Sequence, residues 1–547
     1  MLAANRVGDW LVWHQSAIAA AWLAVLGAAL FARLMAYPLR HDEHFYLVAG
    51  YLAEQAHLYE EVHFTHLPNF PLLLSTIFDM FGVERFLFAG RLLIAALWGL
   101  GVYALYATAR LAGGSRLFAA FIASLLMLDP LLLRTAGMLV TNNFAPVPFA
   151  LLGLYLFLRG TTGKAASPLA CFAGGVCLSF AIGLKANYVV LVPPIAVAAL
   201  LVPPGLALQE RLLRVTLPLV AGAVLAGLPS FYFFAQDPAN FLAHVVNFHG
   251  DAHVDYWTAN GRIEGPVAMS LREKAIVAQQ VWLSGTTMLI LLLAIILGIS
   301  RLIEARPRDE AETVKPTWPL FMLGALVVGA ALISFVPTPA FPQYYAPPIA
   351  FGLIFSAWAY GCITQASRIT LRPLMATVML MASFASLPLL LPELRYLPRP
   401  STWTGNMVHE AAQDMAVQMA QSGNEGRLLT LAPAYGAEAR RDGYRQMLLG
   451  PFIYRAVEYV DAPDRAFFDD VATPRSIGAI LERDPPAAIL IGTEDHLDGV
   501  LEEWARAHDY RPTSVKLGDR RKDEGILYLR SQPLIAGPSQ PGLQGRH

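Results

Sequence analysis

The sequence predicts a multi-span α-helical membrane protein that ends in a small extracytoplasmic α/β domain. Three observations carry that prediction. Apolar runs long enough to cross ~30 Å of hydrocarbon, roughly 20 residues each, recur through the first 392 positions and then stop. Only 15% of the 547 residues are charged, against about a quarter in soluble domains, and the mean hydropathy is +0.47. The charge is also segregated, since 22 of the 41 acidic residues lie from Glu393 onward.

The apolar runs fall near 16–37, 86–110, 116–134, 137–158, 168–184, 186–203, 212–235, 278–300, 317–337, 344–364 and 373–391, about eleven spans. The region 168–203 is interrupted by Lys185 and Asn187 and reads either as a broken pair or as a single re-entrant feature. Orientation follows from the short loops that keep Lys and Arg, which stay on the cytoplasmic side. Arg110/Arg116, Arg159/Lys164, Arg211/Arg214, Arg301/Arg306/Arg308/Lys315 and Arg368/Arg372 alternate along the chain on the side of Arg6. The N-terminus is therefore expected in the cytoplasm. The loops 38–85 and 236–277, the turn Pro337–Gln343 and everything after Pro392 are expected outside. The first run ends Ala-Arg-Leu-Met-Ala-Tyr without a small-residue cleavage pattern and is read as a span, not a cleaved signal. The Arg-rich, Lys-poor composition points to a bacterial inner membrane, with periplasm outside.

Residues 1–392 thus form the membrane domain, 393–530 the outside domain and 531–547 a disordered tail rich in Pro, Gly, Ser and Gln. In the outside domain, Arg427–Ala432, Ala487–Gly492 and Gly525–Arg530 read as buried strands, and His409–Gln421, Pro474–Arg483 and Leu497–His508 have helical spacing. That alternation is what an α/β domain requires. A formal net charge of −1 with no Lys/Arg run argues against nucleic acid as a partner. Three cysteines, all in apolar stretches, support neither a disulfide framework nor a zinc site.

The chemistry concentrates in the first outside loop. It opens His41-Asp42-Glu43-His44-Phe45-Tyr46 and continues with Ala49, Leu52, Leu58-Tyr59 and His63-Phe64-Thr65-His66-Leu67-Pro68. Two adjacent carboxylates at a membrane surface are costly and mark a functional site, or else cap a helix over 42–56 through its dipole. An acid pair, an amphipathic helix, Leu-Tyr and then a basic residue before proline resemble the first outside loop of GT-C glycosyltransferases. The similarity is to the protein O-mannosyltransferases and the lipid A aminoarabinose transferases. Gly183-Leu-Lys-Ala-Asn-Tyr and Phe341-Pro-Gln-Tyr-Tyr-Ala-Pro-Pro348 resemble two further family segments. Two departures stand out. Thr141-Asn142-Asn143 occupies a stretch where family members often carry an acid, and Gln343 stands where many have Arg or His.

The resemblance implies an enzyme with a GT-C-like bundle that takes a hexose or pentose from a polyprenyl-phosphate carrier outside the membrane. The acceptor would be a lipid, a polysaccharide or a protein. Such transfer needs a base at the acceptor, for which Asp42 is the candidate, with Glu43 orienting it or binding sugar hydroxyls. A single base opposite the leaving group implies inversion. The growing phosphate charge needs cations, here Lys185, His66 and His63, or a divalent metal ion. Tyr59, Asn142, Asn143, Gln343, Tyr344, Tyr345, His249 and Asp251 are the candidates for donor and acceptor contacts. Each has a structural alternative: Lys185 a snorkelling span end, the tyrosines an interfacial belt, the histidines solvated loop residues. His249-x-Asp251-x-His253-x-Asp255 would share one face of a strand as a metal site, or belong to a loop closing over the donor. Two other functions fit the composition: a lipid-sugar transporter or flippase, and a silent relative that binds a polysaccharide or an assembly partner.

Overall fold

A computed structural model describes residues 2–163, 165–304 and 315–531. Lys164, Arg306, Arg308 and the expected tail from 532 onward lie outside the described residues. The chain starts with α1 (Leu2–Ala36), α2 (His41–Leu52), α3 (Asn69–Met80) and α4 (Phe86–Leu111). It continues with α5 (Arg116–Met127), α6 (Pro146–Thr161), α7 (Pro168–Leu184) and α8 (Val192–Leu201). Further apolar helices run over Leu217–Gln236, Gly285–Ile303, Trp318–Ile333, Pro347–Gly361 and Arg372–Leu390.

Every expected span holds helix, but the lengths differ from the expectation. Among the described residues, five helical stretches are long and apolar enough to cross a membrane, and five more apolar ones are shorter, of 10–17 residues. The run 137–158 is the clearest departure, because helix begins only at Pro146. Residues 137–145 form buried turns instead, tied down by Trp98 Nε1 donating to the Gly137 carbonyl at 2.8 Å. Between 168 and 203 the chain forms a broken pair: α7 ends at Leu184, Lys185 is extended and a short 3₁₀ turn leads into α8. α7 lies against Leu217–Gln236 at glycine contacts. A Cβ on Gly175 would collide with the Leu219 carbonyl, and one on Gly222 with that of Phe172, the close backbone approach small residues permit between apolar helices.

The C-terminal region carries four strands, β1 (Leu428–Thr430), β2 (Ala488–Ile491), β3 (Tyr510–Lys516) and β4 (Glu524–Arg530), in the order β1-β2-β4-β3. β1 and β2 are parallel; β4 pairs antiparallel with both β2 and β3. β3 escapes a hydropathy reading because it is a polar edge strand carrying Pro512, a position where proline removes no ladder bond. One apolar cluster runs from Leu26 in α1 to Val408, Tyr435 and Ile453 beyond the last apolar helix, so the core continues past residue 392.

One ion pair fixes how the segment after α1 leaves the bundle. Glu43 is wholly buried and receives Arg91 Nε and Nη2, each at 2.7 Å. It also accepts from the Val140 N–H at 2.9 Å and from the Arg40 N–H at 3.2 Å. Arg91 Nη1 donates on to the Leu34 and Tyr37 carbonyls. Removing one partner of such a pair strands the other charge, so Glu43→Ala should lower stability by about 3–5 kcal/mol. Thermal melting in detergent checks this, and a loss under about 1 kcal/mol would show that the pair does not hold the fold.

Candidate functional site

The two adjacent carboxylates have opposite fates. Glu43 caps α2 by accepting from the Arg40 N–H and turns into the bundle toward Arg91, so it lies off any cavity and holds α2 in place. Asp42, one residue earlier, is half-buried and takes no hydrogen bond among the described residues. Its electrostatic neighbours are Lys185, Tyr344 and Tyr46. It opens into a cavity of about 630 Å³, a size typical of small-ligand sites.

Three segments distant in sequence build the wall opposite Asp42. Lys185 stands in the break after α7, where its Nζ donates to Asn143 Oδ1 at 2.6 Å and sits 4.7 Å from the Tyr344 ring centroid. Burial pulls Lys185 down to about 7, partly opposed by Asp42. Asn142 Oδ1 accepts from the Tyr46 hydroxyl at 2.7 Å, and its Nδ2 donates to the Leu184 carbonyl at 3.2 Å. The turns at 137–145 thereby bring Asn142 and Asn143 to the end of α7. Gln343 and Tyr344 complete this side of the cavity.

His66 and His249 face each other with ring centroids 4.7 Å apart. His249 Nε2 donates to the Thr65 carbonyl at 2.6 Å. Burial, then the neighbours His249, Lys185 and His253, hold His66 well below the ordinary imidazole range, and burial lowers His249 and His253 as well. These rings therefore line the cavity uncharged near neutral pH. The segment expected as a strand is helical: His249 closes the short helix Phe248–Gly250, and Asp251 precedes the helix Ala252–Glu264. A period of 3.6 places His249 and His253, four apart, toward the cavity, while Asp251 and Asp255 are exposed. The four side chains do not share one face. Among the described residues no group of three or more His, Cys, Asp or Glu side chains is arranged to hold a metal ion.

Five expected site residues thus lie elsewhere. Besides Glu43 and Asp251, Tyr59 is buried at φ 74° and donates its hydroxyl to the His66 carbonyl at 2.8 Å. Tyr345 turns away from Tyr344, donating its hydroxyl to the Lys274 carbonyl at 2.9 Å. His63 sits in a separate buried chain, with Nδ1 3.2 Å from His244 Nε2 and Nε2 2.9 Å from Asp470 Oδ1. That chain ties the segments 38–85 and 236–277 to the C-terminal region.

Residues beyond the expected donor and acceptor contacts also line the cavity: His41, His253, Asn187, Trp257, Phe452 and Arg455. Arg455 comes from the helix Pro451–Ala456. Its guanidinium lies 5.2 Å from the ring centroids of both Tyr256 and Trp257 and 3.5 Å from Glu264. His253 was visible as part of the His/Asp-rich segment, and His41 as the neighbour of Asp42. Nothing in the local sequence marks Phe452 or Arg455.

The bundle that holds this cavity has an ArnT-like fold. A sequence model of the dolichyl-phosphate-mannose-protein mannosyltransferase family matches residues 71–245. Crystal structures of ArnT from Cupriavidus metallidurans are similar over nearly the whole chain. The form bound to undecaprenyl phosphate gives a TM-score of 0.58 at 16% identity, covering 97% of this chain and 99% of that one. The apo form gives 0.57 at 15% identity, covering 98% and 100%. No curated protein sequence matches the chain significantly.

Because Asp42 makes no hydrogen bond that amidation would break, Asp42→Asn should melt within about 0.5 kcal/mol of the native protein. A loss as large as that of Glu43→Ala would reassign Asp42 to the framework.

Proposed function

We propose that this chain is an integral-membrane glycosyltransferase that moves a hexose or pentose from a polyprenyl-phosphate carrier to an acceptor on the outer face of a bacterial inner membrane. In this reading residues 1–392 form the membrane domain in about eleven spans, with the N-terminus cytoplasmic. Residues 393–530 lie outside. The observation that carries the proposal is the presence in one cavity of an unengaged carboxylate, Asp42, and a half-buried lysine, Lys185. The GT-C fold and the undecaprenyl phosphate bound to a protein of similar fold support it.

The chemistry needs each group at the place it occupies. Asp42 takes the proton of the acceptor hydroxyl or amine as that atom attacks the anomeric carbon. The bond from that carbon to the phosphate oxygen breaks, and the phosphate leaves with the electron pair and one more negative charge. Lys185 meets that charge, and a cation already held in place for it is worth more than one in bulk water. With one base and no second carboxylate placed as a nucleophile, the configuration inverts. Phe45, Tyr46, Trp257, Phe341, Tyr344 and Phe452 offer flat apolar faces to the sugar and the first isoprene unit. These steps use the chain's own residues, and the alternative of a divalent metal ion at the donor phosphate is tested by the chelator.

The test is sugar release or transfer from a panel of polyprenyl-phosphate sugars by purified protein in detergent. Bacterial lipid, polysaccharide and protein fractions are supplied separately as acceptors, with and without a chelator. Asp42→Asn should lower turnover by about 10²- to 10⁴-fold while donor binding persists; equal turnover in the two proteins would refute the assignment. Absence of turnover with every donor, together with movement of the intact lipid-linked sugar across vesicles, would establish the transporter instead.

A second expectation concerns pH. Lys185 is charged below about 7 and loses its proton above it, so KM for the donor should rise as pH increases beyond that point, by up to about tenfold per pH unit. Lys185→Arg, whose guanidinium stays charged, should flatten the profile. A wild-type KM that is flat between about pH 6 and 9 would remove Lys185 from the phosphate site.

A further inference from the structure

Just past the last apolar helix, arginines collect without a counter-ion. The stretch Arg372–Tyr396 is one of the five long apolar ones, and most of it is left uncovered by the rest of the protein. Toward its end Phe384 is 73% exposed, and Leu380, Met381 and Leu391 are exposed as well. On a helix that crosses a membrane, such a face lies against acyl chains. Where it stops, the chain turns through two short 3₁₀ segments, Leu391–Tyr396 and Pro400–Thr402. The side chains change there to Arg395, Tyr396, Leu397, Arg399 and Trp403, the aromatic and basic types that belong at a lipid–water boundary.

Tyr396 gathers two cations on one ring. The Arg395 guanidinium carbon lies 4.6 Å from its centroid and that of Arg520 4.0 Å. Arg520 reaches in from the loop between β3 and β4, where it donates to the Thr402 carbonyl. Arg399 stands in the same turn, exposed, and its side chain has no hydrogen-bond partner among the described residues. None of the three arginines forms an ion pair among the described residues. The acids close by along the chain are engaged elsewhere. Glu393 faces Arg33 at 3.5 Å, Asp519 accepts the Leu39 and Arg521 N–H groups, and Asp523 accepts the Gly518 N–H. Like charges drawn together repel one another, and an anion set among them removes that cost.

We propose that this corner binds the headgroup of an anionic phospholipid, whose acyl chains lie along Phe384 and Leu391. The lipid phosphate takes charge and hydrogen bonds from Arg395, Arg399 and Arg520. A lipid fits better than a soluble phosphate because the cations begin where the exposed apolar face ends, so one amphipathic molecule satisfies both. The site also joins two parts of the chain. Arg395 and Arg399 follow the last apolar helix, whereas Arg520 neighbours Asp519, which holds the Leu39 N–H just before α2. The bound lipid therefore fastens the C-terminal region to the bundle beside the start of α2.

The test uses the full-length protein, stripped of lipid in a neutral detergent and titrated with phosphatidylglycerol, with phosphatidylcholine and inorganic phosphate as separate arms. Native mass spectrometry counts bound lipid and thermal melting reads stability. Phosphatidylglycerol should bind at least about tenfold more tightly than phosphatidylcholine and raise the Tm, while inorganic phosphate at the same concentration should leave the Tm unchanged. Arg399→Gln should weaken phosphatidylglycerol binding by about fivefold, and Arg395→Gln combined with Arg399→Gln by more than about tenfold. Binding of phosphatidylcholine and the lipid-free Tm should not move in either variant. Should the double variant fail to fold, Arg399→Gln decides alone, since its exposed side chain holds nothing in place. Equal affinity for the two lipids would overturn the proposal, as would phosphatidylglycerol binding that survives Arg399→Gln undiminished. Inorganic phosphate that stabilises as well as the lipid would replace the phospholipid with a soluble anion and overturn it too.

Discussion

The bidentate pair between Glu43 and Arg91 is the constraint on which the site depends. Both side chains are almost wholly excluded from solvent, and the pair reaches four separate pieces of chain. Arg91 belongs to α4, Glu43 to α2, the Val140 N–H to the turns before α6, and the Leu34 and Tyr37 carbonyls to the end of α1. Two buried charges are tolerable only when every lone pair and N–H is used, and here the carboxylate receives four donors. With Glu43 anchored, helical geometry sends Asp42 about 100° around α2, out of the bundle and into the cavity. The same anchor holds 137–145, and so Asn142 and Asn143, beside Lys185.

The framework saturates one acid and leaves the next unengaged, and this explains what could be read from the sequence and what could not. Asp42 and Glu43 are indistinguishable as letters, and both the capping and the chemical interpretation of the pair apply, one to each residue. Lys185 was legible because a lysine between two apolar runs demands a reason. The break at 137–145 was not legible: Thr141-Asn142-Asn143 sits inside an apolar run, and only distant partners, Trp98 and Glu43, keep it from being helix. His249 and His253 were visible as a cluster, but the wrong period assigned Asp251 and Asp255 to their face. Tyr344 and Tyr345, adjacent in a 3₁₀ turn, necessarily diverge, and hydropathy cannot say which one turns inward. β3 was lost because an edge strand has no need of apolar alternation. Arg455 and Phe452 reach the cavity through tertiary packing alone.

The charge distribution of the cavity is sparse by construction. Burial keeps His66, His249 and His253 uncharged, so three rings that a count of basic residues would enter as cations supply shape and hydrogen-bonding atoms instead. Arg455 is partly offset by Glu264 and flanked by Tyr256 and Trp257. What remains is one carboxylate facing one lysine. On the proposed reaction, a site that binds a phosphate diester and releases it with an added charge gains from such economy, because surplus cations stabilise the bound ground state as much as the transition state.

The C-terminal region then has a physical reason to be continuous with the bundle. The apolar core crosses residue 392 without a break, and polar links, the following three among them, fasten the region to the bundle. The Leu87 N–H donates to Glu438, the Leu39 N–H donates to Asp519, and His41 meets Glu494. Two of the three fall within three residues of Asp42. A loosely tethered module would let the segment that carries Asp42 drift by about an ångström, enough on the proposed reaction to separate productive from unproductive geometry. Clamped from below by Arg91 and from above by Asp519 and Glu494, the first turn of α2 is held on both sides, and the carboxylate between the clamps is the one left without a hydrogen bond.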